Sequence, residues 1–168
     1  HYGSVGYNLE INLSTAESQR TEVDPADREM YLGGRGTNTR LFWNRVPPET
    51  DPYSPDNLMI FGVGVLTGTH APGANRTILT TLSPQTNLQT YSSLGGFWGA
   101  ELKRAGFDNL IISGRSTKPI YLWINDNTVE IRDAGHLWGK NTREHDDIIR
   151  DELKHREIQV LSIGQAGE

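Results

Sequence analysis

An α/β or α+β unit is what the sequence predicts. Three observations predict it: apolar residues at two-residue spacing near the start, helical spacing in segments bounded by Gly and Pro, and short continuous apolar runs between them. At 168 residues the chain has the length of one domain and can enclose a hydrophobic core. No internal linker or low-complexity run divides it, so one domain is drawn over residues 1–168.

Tyr7, Leu9, Ile11 and Leu13 alternate as a strand with one buried face. A polar stretch follows, and Asp24-Pro25 then reads as an N-cap with Pro at the first helical position, opening a short helix to about Tyr31. Gly33-Gly34-Arg35-Gly36 interrupts it as a loop. Leu41, Phe42, Arg45 and Val46 continue with helical spacing until Pro47-Pro48. Residues 58–61 form a buried strand, 62–73 a long ordered loop rich in Gly and Thr, and 76–82 a second strand broken by Ser83-Pro84. Gly95-Gly96 opens a helix containing Phe97, Trp98, Leu102 and Ala105, with Gly106 at its C-terminal end. Strands follow at 110–112, 120–124 and 129–131, the last two joined as a hairpin by Asn125-Asp126-Asn127. A helix over 142–155, with Ile148, Ile149 and Leu153 on one side, leads to a final strand at 158–163.

Composition narrows the chemistry. With 21 acidic residues against 16 Lys and Arg, the net charge of -5 argues against a chain that coats nucleic acid. The absence of cysteine excludes disulfides, zinc-thiolate sites, cysteine nucleophiles and an iron–sulfur centre held by this chain alone. No apolar run approaches the roughly 18 residues of a membrane span, and the first residues lack a basic region followed by an apolar one. The chain starts without Met and stops just after a strand-like run, so it is expected to be an excerpt of a longer one.

The repeated arrangement of a glycine loop leading into a helix, at Gly33-Gly34-Arg35-Gly36 and at Gly95-Gly96, is the feature most able to carry chemistry. Glycine lets backbone approach a ligand closely, and free N–H groups at a helix start favour an anion such as phosphate. The same glycines also serve tight turns and close packing. Neither loop has the Walker pattern or a complete Gly-x-Gly-x-x-Gly fingerprint. Arg76 follows a flexible loop and offers a planar fork for phosphate or carboxylate, with a surface ion pair as the alternative. The histidines at 1, 70, 136, 145 and 155 form no metal-binding constellation and are expected at the surface, His70 being the one placed in a loop where catalysis is conceivable. Ser92 and Ser93 lack a nucleophile elbow, and the four tryptophans are expected to pack in the core.

Taken in order, Tyr31-Leu32-Gly33-Gly34-Arg35-Gly36, Val46-Pro47-Pro48-Glu49, Leu66-Thr67-Gly68-Thr69, Gly95-Gly96-Phe97-Trp98-Gly99-Ala100-Glu101-Leu102-Lys103, His136-Leu137-Trp138-Gly139-Lys140 and Ser162-Ile163-Gly164-Gln165-Ala166-Gly167-Glu168 resemble the N-terminal domain of the tungsten-containing aldehyde:ferredoxin oxidoreductase family. The resemblance covers nearly the whole chain. It implies an α+β domain with mixed β-sheets and a few helices, forming the base for tungsten or molybdenum held by two pyranopterin dithiolenes (molybdopterin), with magnesium linking their phosphates. Carried over by position, Arg76 is a pterin-phosphate contact, and Ser93, Leu94, Gly95 and Gly96 form the loop meeting the phosphate and magnesium. Ser93 and Leu94 stand where the usual loop reads Asn-Ser, so backbone contacts are those carried over there. No catalytic residue and no metal-ligating side chain is assigned within this chain.

The resemblance further implies a [4Fe-4S] cluster and a second pterin-binding stretch in the missing part of the parent protein, with the fragment inactive alone. Implied partners are the remaining domains of the same parent chain and a ferredoxin or electron-transfer subunit, in a cytoplasmic oligomer of anaerobic metabolism without nucleic acid or a membrane span. The parent reaction is oxidation of aldehydes to carboxylic acids with electrons passed to ferredoxin. Gly36-Thr37-Asn38, Asn75-Arg76-Thr77-Ile78 and Ser83-Pro84-Gln85-Thr86 are more similar to the tungsten subunit of class II benzoyl-coenzyme A reductase, which makes reduction of an aromatic acyl-CoA the alternative. A non-catalytic scaffold that has lost its cofactor is a reading of another class.

Overall fold

The structure is a computed structural model that describes residues 3–126 and 128–168. The opening alternation becomes strand β1 (Tyr7–Asn12), with Leu9 and Ile11 buried. It turns into β2 (Glu17–Glu22), a strand whose residues are almost all exposed. Asp24 caps helix α1 (Pro25–Tyr31), its Oδ1 accepting from the Ala26 N–H at 2.8 Å, with Pro25 at the helix start as expected.

Helix α2 (Gly34–Arg45) begins earlier than the sequence reading places it, so Gly34 and Gly36 lie within its first turn rather than in a preceding loop. Close packing favours that start. A Cβ on Gly33 would sit 2.6 Å from the Val63 carbonyl oxygen, and one on Gly36 would sit 2.6 Å from that of Tyr31. β3 (Met59–Val63), β4 (Thr77–Leu82) and β5 (Gln89–Leu94) follow, then α3 (Trp98–Arg104) and β6 (Asn109–Ser113). β7 (Ile120–Asn125) and β8 (Thr128–Asp133) form the expected hairpin; of its predicted turn, Asn127 lies outside the described residues, as does His1. Helix α4 (Thr142–Leu153) opens with a capping box, Asn141 accepting from the Arg143 and Glu144 amides while Glu144 accepts from Asn141 N–H.

The six-stranded sheet runs β2-β1-β6-β3-β4-β5, with β1 and β6 parallel and the other pairs antiparallel. This is an α+β architecture of mixed sheets, as anticipated. One face packs Ile60 and Ile111 against Phe42 of α2 and against Leu58. The other packs Leu9, Ile11, Phe61, Val63 and Leu110 against Leu102 and Phe107, with the β7–β8 hairpin laid over them. Burial of these side chains is the main favourable term, each worth about 1.5–3 kcal/mol relative to exposure. A smaller cluster of Ala134, Leu137 and Ile149 seats α4.

Three expectations fail here. The sequence predicts no strand at β2 or β5, because their polar residues carry no apolar alternation. Residues 158–163 alternate as a strand should, yet join no β-ladder among the described residues. Of the tryptophans, Trp98 packs on Phe61 with ring centroids 5.4 Å apart, but Trp43 and Trp138 are exposed rather than in the core.

Candidate functional site

The register of the sheet gathers the two glycine corners and Arg76 at one end of the molecule. Val63 pairs with Thr77 and Thr77 with Leu94, while Gly33, at the start of α2, bridges Gly64 just beyond β3. The start of α2, Arg76 just before β4, and Gly95-Gly96 just after β5 therefore share that end.

Alternation decides which side chains meet there. Thr80 faces α2, its Oγ1 accepting from Asn38 Nδ2 at 3.2 Å, so Ile78 and Arg76 continue on the same face. Tyr91 lies opposite Thr80 and Ser93 opposite Ile78, and the same register carried one step past the ladder's last pair, Thr77 with Leu94, brings Gly95 beside Arg76. The contact is close: a Cβ on Gly95 would lie 3.7 Å from Arg76 Nη1. Leu94 alternates to the other face and packs against the apolar core. Of the predicted site residues, the structure thus brings Arg76, Ser93 and Gly95 onto one face, with Gly96 beside them, and turns the Leu94 side chain away.

The two glycine corners differ in kind. At Gly33 and Gly36 a side chain would strike backbone, so those glycines serve packing. Among the described residues, and leaving aside the immediate chain neighbours, nothing lies within 4 Å of a notional Cβ at Gly96, with φ of +86°, and at Gly95 the Arg76 guanidinium is the sole such neighbour. That room is what a bulky anionic group needs beside backbone. Arg76 takes part in no ion pair among the described residues. An exposed cation without a carboxylate partner, next to open backbone, suits a phosphate ester.

Lys103, which sequence reasoning did not single out, holds the rim. Its Nζ donates to the carbonyl oxygens of Gly64 at 2.6 Å and Val65 at 3.2 Å, fixing the start of the loop that ends at Arg76. Burial pushes the lysine pKa down, and the Asp108 carboxylate opposes that effect. Asp108 itself ties down the N-terminal segment, accepting from Ser4 Oγ at 2.6 Å and from the amides of Val5 and Gly6 at 3.0 and 2.7 Å. A signal for Lys103 existed in its position on α3 amid apolar Leu102 and Ala105.

The histidines do not form a centre. His70 is exposed in the loop, with no hydrogen-bond partner among the described residues, and His136 lies 3.2 Å from Glu152. His145 corrects the expectation of surface histidines: it is buried, its Nε2 2.9 Å from the Leu137 carbonyl oxygen, where it ties α4 to the preceding turn. Among the described residues no group of three His, Asp or Glu could hold a metal ion. A cavity of about 1170 Å³ lies elsewhere, between the α3 face of the sheet and the β7–β8 hairpin, with Phe61, Leu79, Leu122 and Ile124 in its walls and neither Arg76 nor Gly95 among them. No helix among the described residues is long and apolar enough to cross a membrane.

Comparison with known proteins identifies the family. Residues 8–168 match the family described as aldehyde ferredoxin oxidoreductase, N-terminal domain. The chain is 41% identical over 99% of its length to a tungsten-containing aldehyde ferredoxin oxidoreductase of Pyrococcus furiosus, and 43% identical over the same share to that of Thermococcus kodakarensis. It spans 28% of the length of each. Its fold superposes with a TM-score of 0.97, at 52% identity, on the active-site complex BamBC of benzoyl coenzyme A reductase in complex with 1,5-dienoyl-CoA, covering 99% of this chain and 25% of that one. The chain belongs to the aldehyde ferredoxin oxidoreductase family, as its N-terminal domain.

Proposed function

We propose that residues 1–168 form a single cofactor-binding domain of a longer tungsten or molybdenum oxidoreductase, and that Arg76 with the loop Ser93, Leu94, Gly95 and Gly96 holds the phosphate of a pyranopterin dithiolene. The observation that carries this reading is Arg76 Nη1 standing 3.7 Å from the Cβ position of an exposed Gly95. Bound there, the group would supply the redox-active metal. The chain's own work is to bind and orient. Arg76 presents a fork to phosphate oxygens, Gly95 and Gly96 keep the approach free of side chains, and Ser93 offers a hydroxyl on the same face. Leu94 contributes backbone while its side chain anchors the loop in the core.

The parent reaction divides between aldehyde oxidation with electrons to ferredoxin and reduction of an aromatic acyl-CoA. Identity of 52% to the benzoyl coenzyme A reductase complex, against 41% and 43% to the aldehyde enzymes, favours the second. Zero cysteines place any iron–sulfur ligands of the parent outside this chain.

The test is Arg76→Ala in the full-length protein purified without oxygen. Loss of tungsten and pterin by elemental and pterin analysis is expected, and full retention would overturn the assignment. Dye-linked assays of the intact protein with an aldehyde and with an aromatic acyl-CoA then separate the two reactions.

A further inference from the structure

Arg35 lies in the first turn of α2, exposed, with its guanidinium carbon 4.7 Å from the centre of the Tyr91 ring. Tyr91 stands on β5 on the face that carries Ser93, Gly95 and Arg76. A guanidinium held over an aromatic ring has five N–H donors and can still offer some of them to an acceptor. Neither a carboxylate nor any other acceptor takes those donors among the described residues, and α2 carries no acidic residue in its first turn. By contrast Arg40, one turn further along, is held by Asp27 at 3.1 Å, and Arg45 near the end of the helix is held by Glu10. The helix therefore neutralises the arginines away from the glycine corners and leaves unpaired the one beside them, in a chain whose net charge is -5.

We propose that Arg35, propped on Tyr91 four residues along β5 from Gly95, is a second guanidinium contact for the anionic ligand that Arg76 holds, reaching it from the α2 side of β5. This rests on the cofactor-binding reading of the site and adds a residue to it. Tyr91 acts as a positioning residue: the ring fixes the guanidinium while leaving it donors to offer, which lowers the entropy lost on binding.

The experiment uses the full-length protein purified without oxygen, with Arg35→Gln, Arg35→Lys, Tyr91→Phe and Tyr91→Leu made beside Arg76→Ala. Tungsten content, released pterin phosphate and thermal unfolding are read for each. Arg35→Gln is expected to lower tungsten occupancy about tenfold at limiting cofactor, as loss of one charge-assisted contact does. Arg35→Lys should recover part of it, Tyr91→Phe nearly all, and Tyr91→Leu an intermediate share. A merely structural Arg35 would not distinguish Lys from Gln in this way. Full tungsten in Arg35→Gln with loss in Arg76→Ala overturns the role of Arg35 and leaves the site standing; full tungsten in both overturns the site itself. Should Arg35→Gln fail to fold, wild-type occupancy in Tyr91→Leu overturns the proposal.

Discussion

Asn109 Nδ2 donates to Asn38 Oδ1 at 2.8 Å across the interface between the sheet and α2, both residues being fully buried. Asn38 Nδ2 in turn reaches the carbonyl oxygens of Ile60 at 3.0 Å and Ile78 at 2.8 Å, so one amide pins the helix to two strands. Gly62 makes room for the pair, since a Cβ there would lie 2.0 Å from Asn38 Oδ1 and 2.6 Å from Asn109 Nδ2. Asn38→Ala or Asn109→Ala leaves a buried partner unsatisfied and should cost about 1–3 kcal/mol in urea unfolding. The double variant should cost less than the sum of the two, because the interaction is lost only once.

Lys103→Met tests the rim of the site. The substitution keeps the length and apolar stem but strips the Gly64 and Val65 carbonyls of their donor. A loss of about 1–3 kcal/mol is expected by chemical denaturation. Faster amide exchange confined to residues 64–76 would show that the loop leading to Arg76 has loosened; unchanged exchange there would mean that the lysine does not organise it.

The elements readable from sequence are those with a buried face. β1, β3, β6 and the β7–β8 hairpin announce themselves by Leu9 and Ile11, Ile60 and Phe61, Leu110 and Ile111, and Leu122 and Ile124. The two unforeseen strands, β2 and β5, are the two edges of the sheet. Edge strands lean on one neighbour and face solvent, so Glu17-Ser18-Gln19-Arg20 and Thr90-Tyr91-Ser92-Ser93 carry no two-residue apolar period to read. The converse error at residues 158–163 has the same root, for alternation reports an amphipathic chain and not the presence of a ladder partner. The site straddles this boundary. Arg76 and Gly95 could be named from residue chemistry and family likeness, whereas the stacking of Arg35 on Tyr91 depends on an edge strand that alternation does not reveal.

Acid sensitivity should trace in part to Glu10. Burial pushes its carboxyl pKa up, but hydrogen bonds from Arg45 at 2.6 Å and Thr21 at 2.8 Å outweigh that and hold it below the ordinary glutamate range. A folded-state pKa below the unfolded one means that the stabilisation is complete above the ordinary glutamate range and is lost as pH falls through the folded value. Glu10→Gln should therefore destabilise by about 1 kcal/mol or less at neutral pH, the scale of a partly exposed pair. The difference from wild type should close in urea titrations carried down through that acid window.

Gly95 and Gly96 respond differently to the same added methyl group. At Gly96 the backbone φ of +86° lies in the left-handed region, so Gly96→Ala carries a conformational cost of about 1–2 kcal/mol although space is open around it. At Gly95 the backbone is ordinary and the added Cβ would meet Arg76 Nη1 at van der Waals distance, so Gly95→Ala should leave stability within about 0.5 kcal/mol of wild type. Cofactor content should follow another order. The Gly95 methyl enters the space between backbone and guanidinium where the phosphate is proposed to sit, and Gly95→Val enters it further. Tungsten should then fall from wild type to Gly95→Ala to Gly95→Val in full-length protein whose melting temperatures barely change. Parallel loss of stability and tungsten along that series would instead mean that Gly95 serves the fold alone.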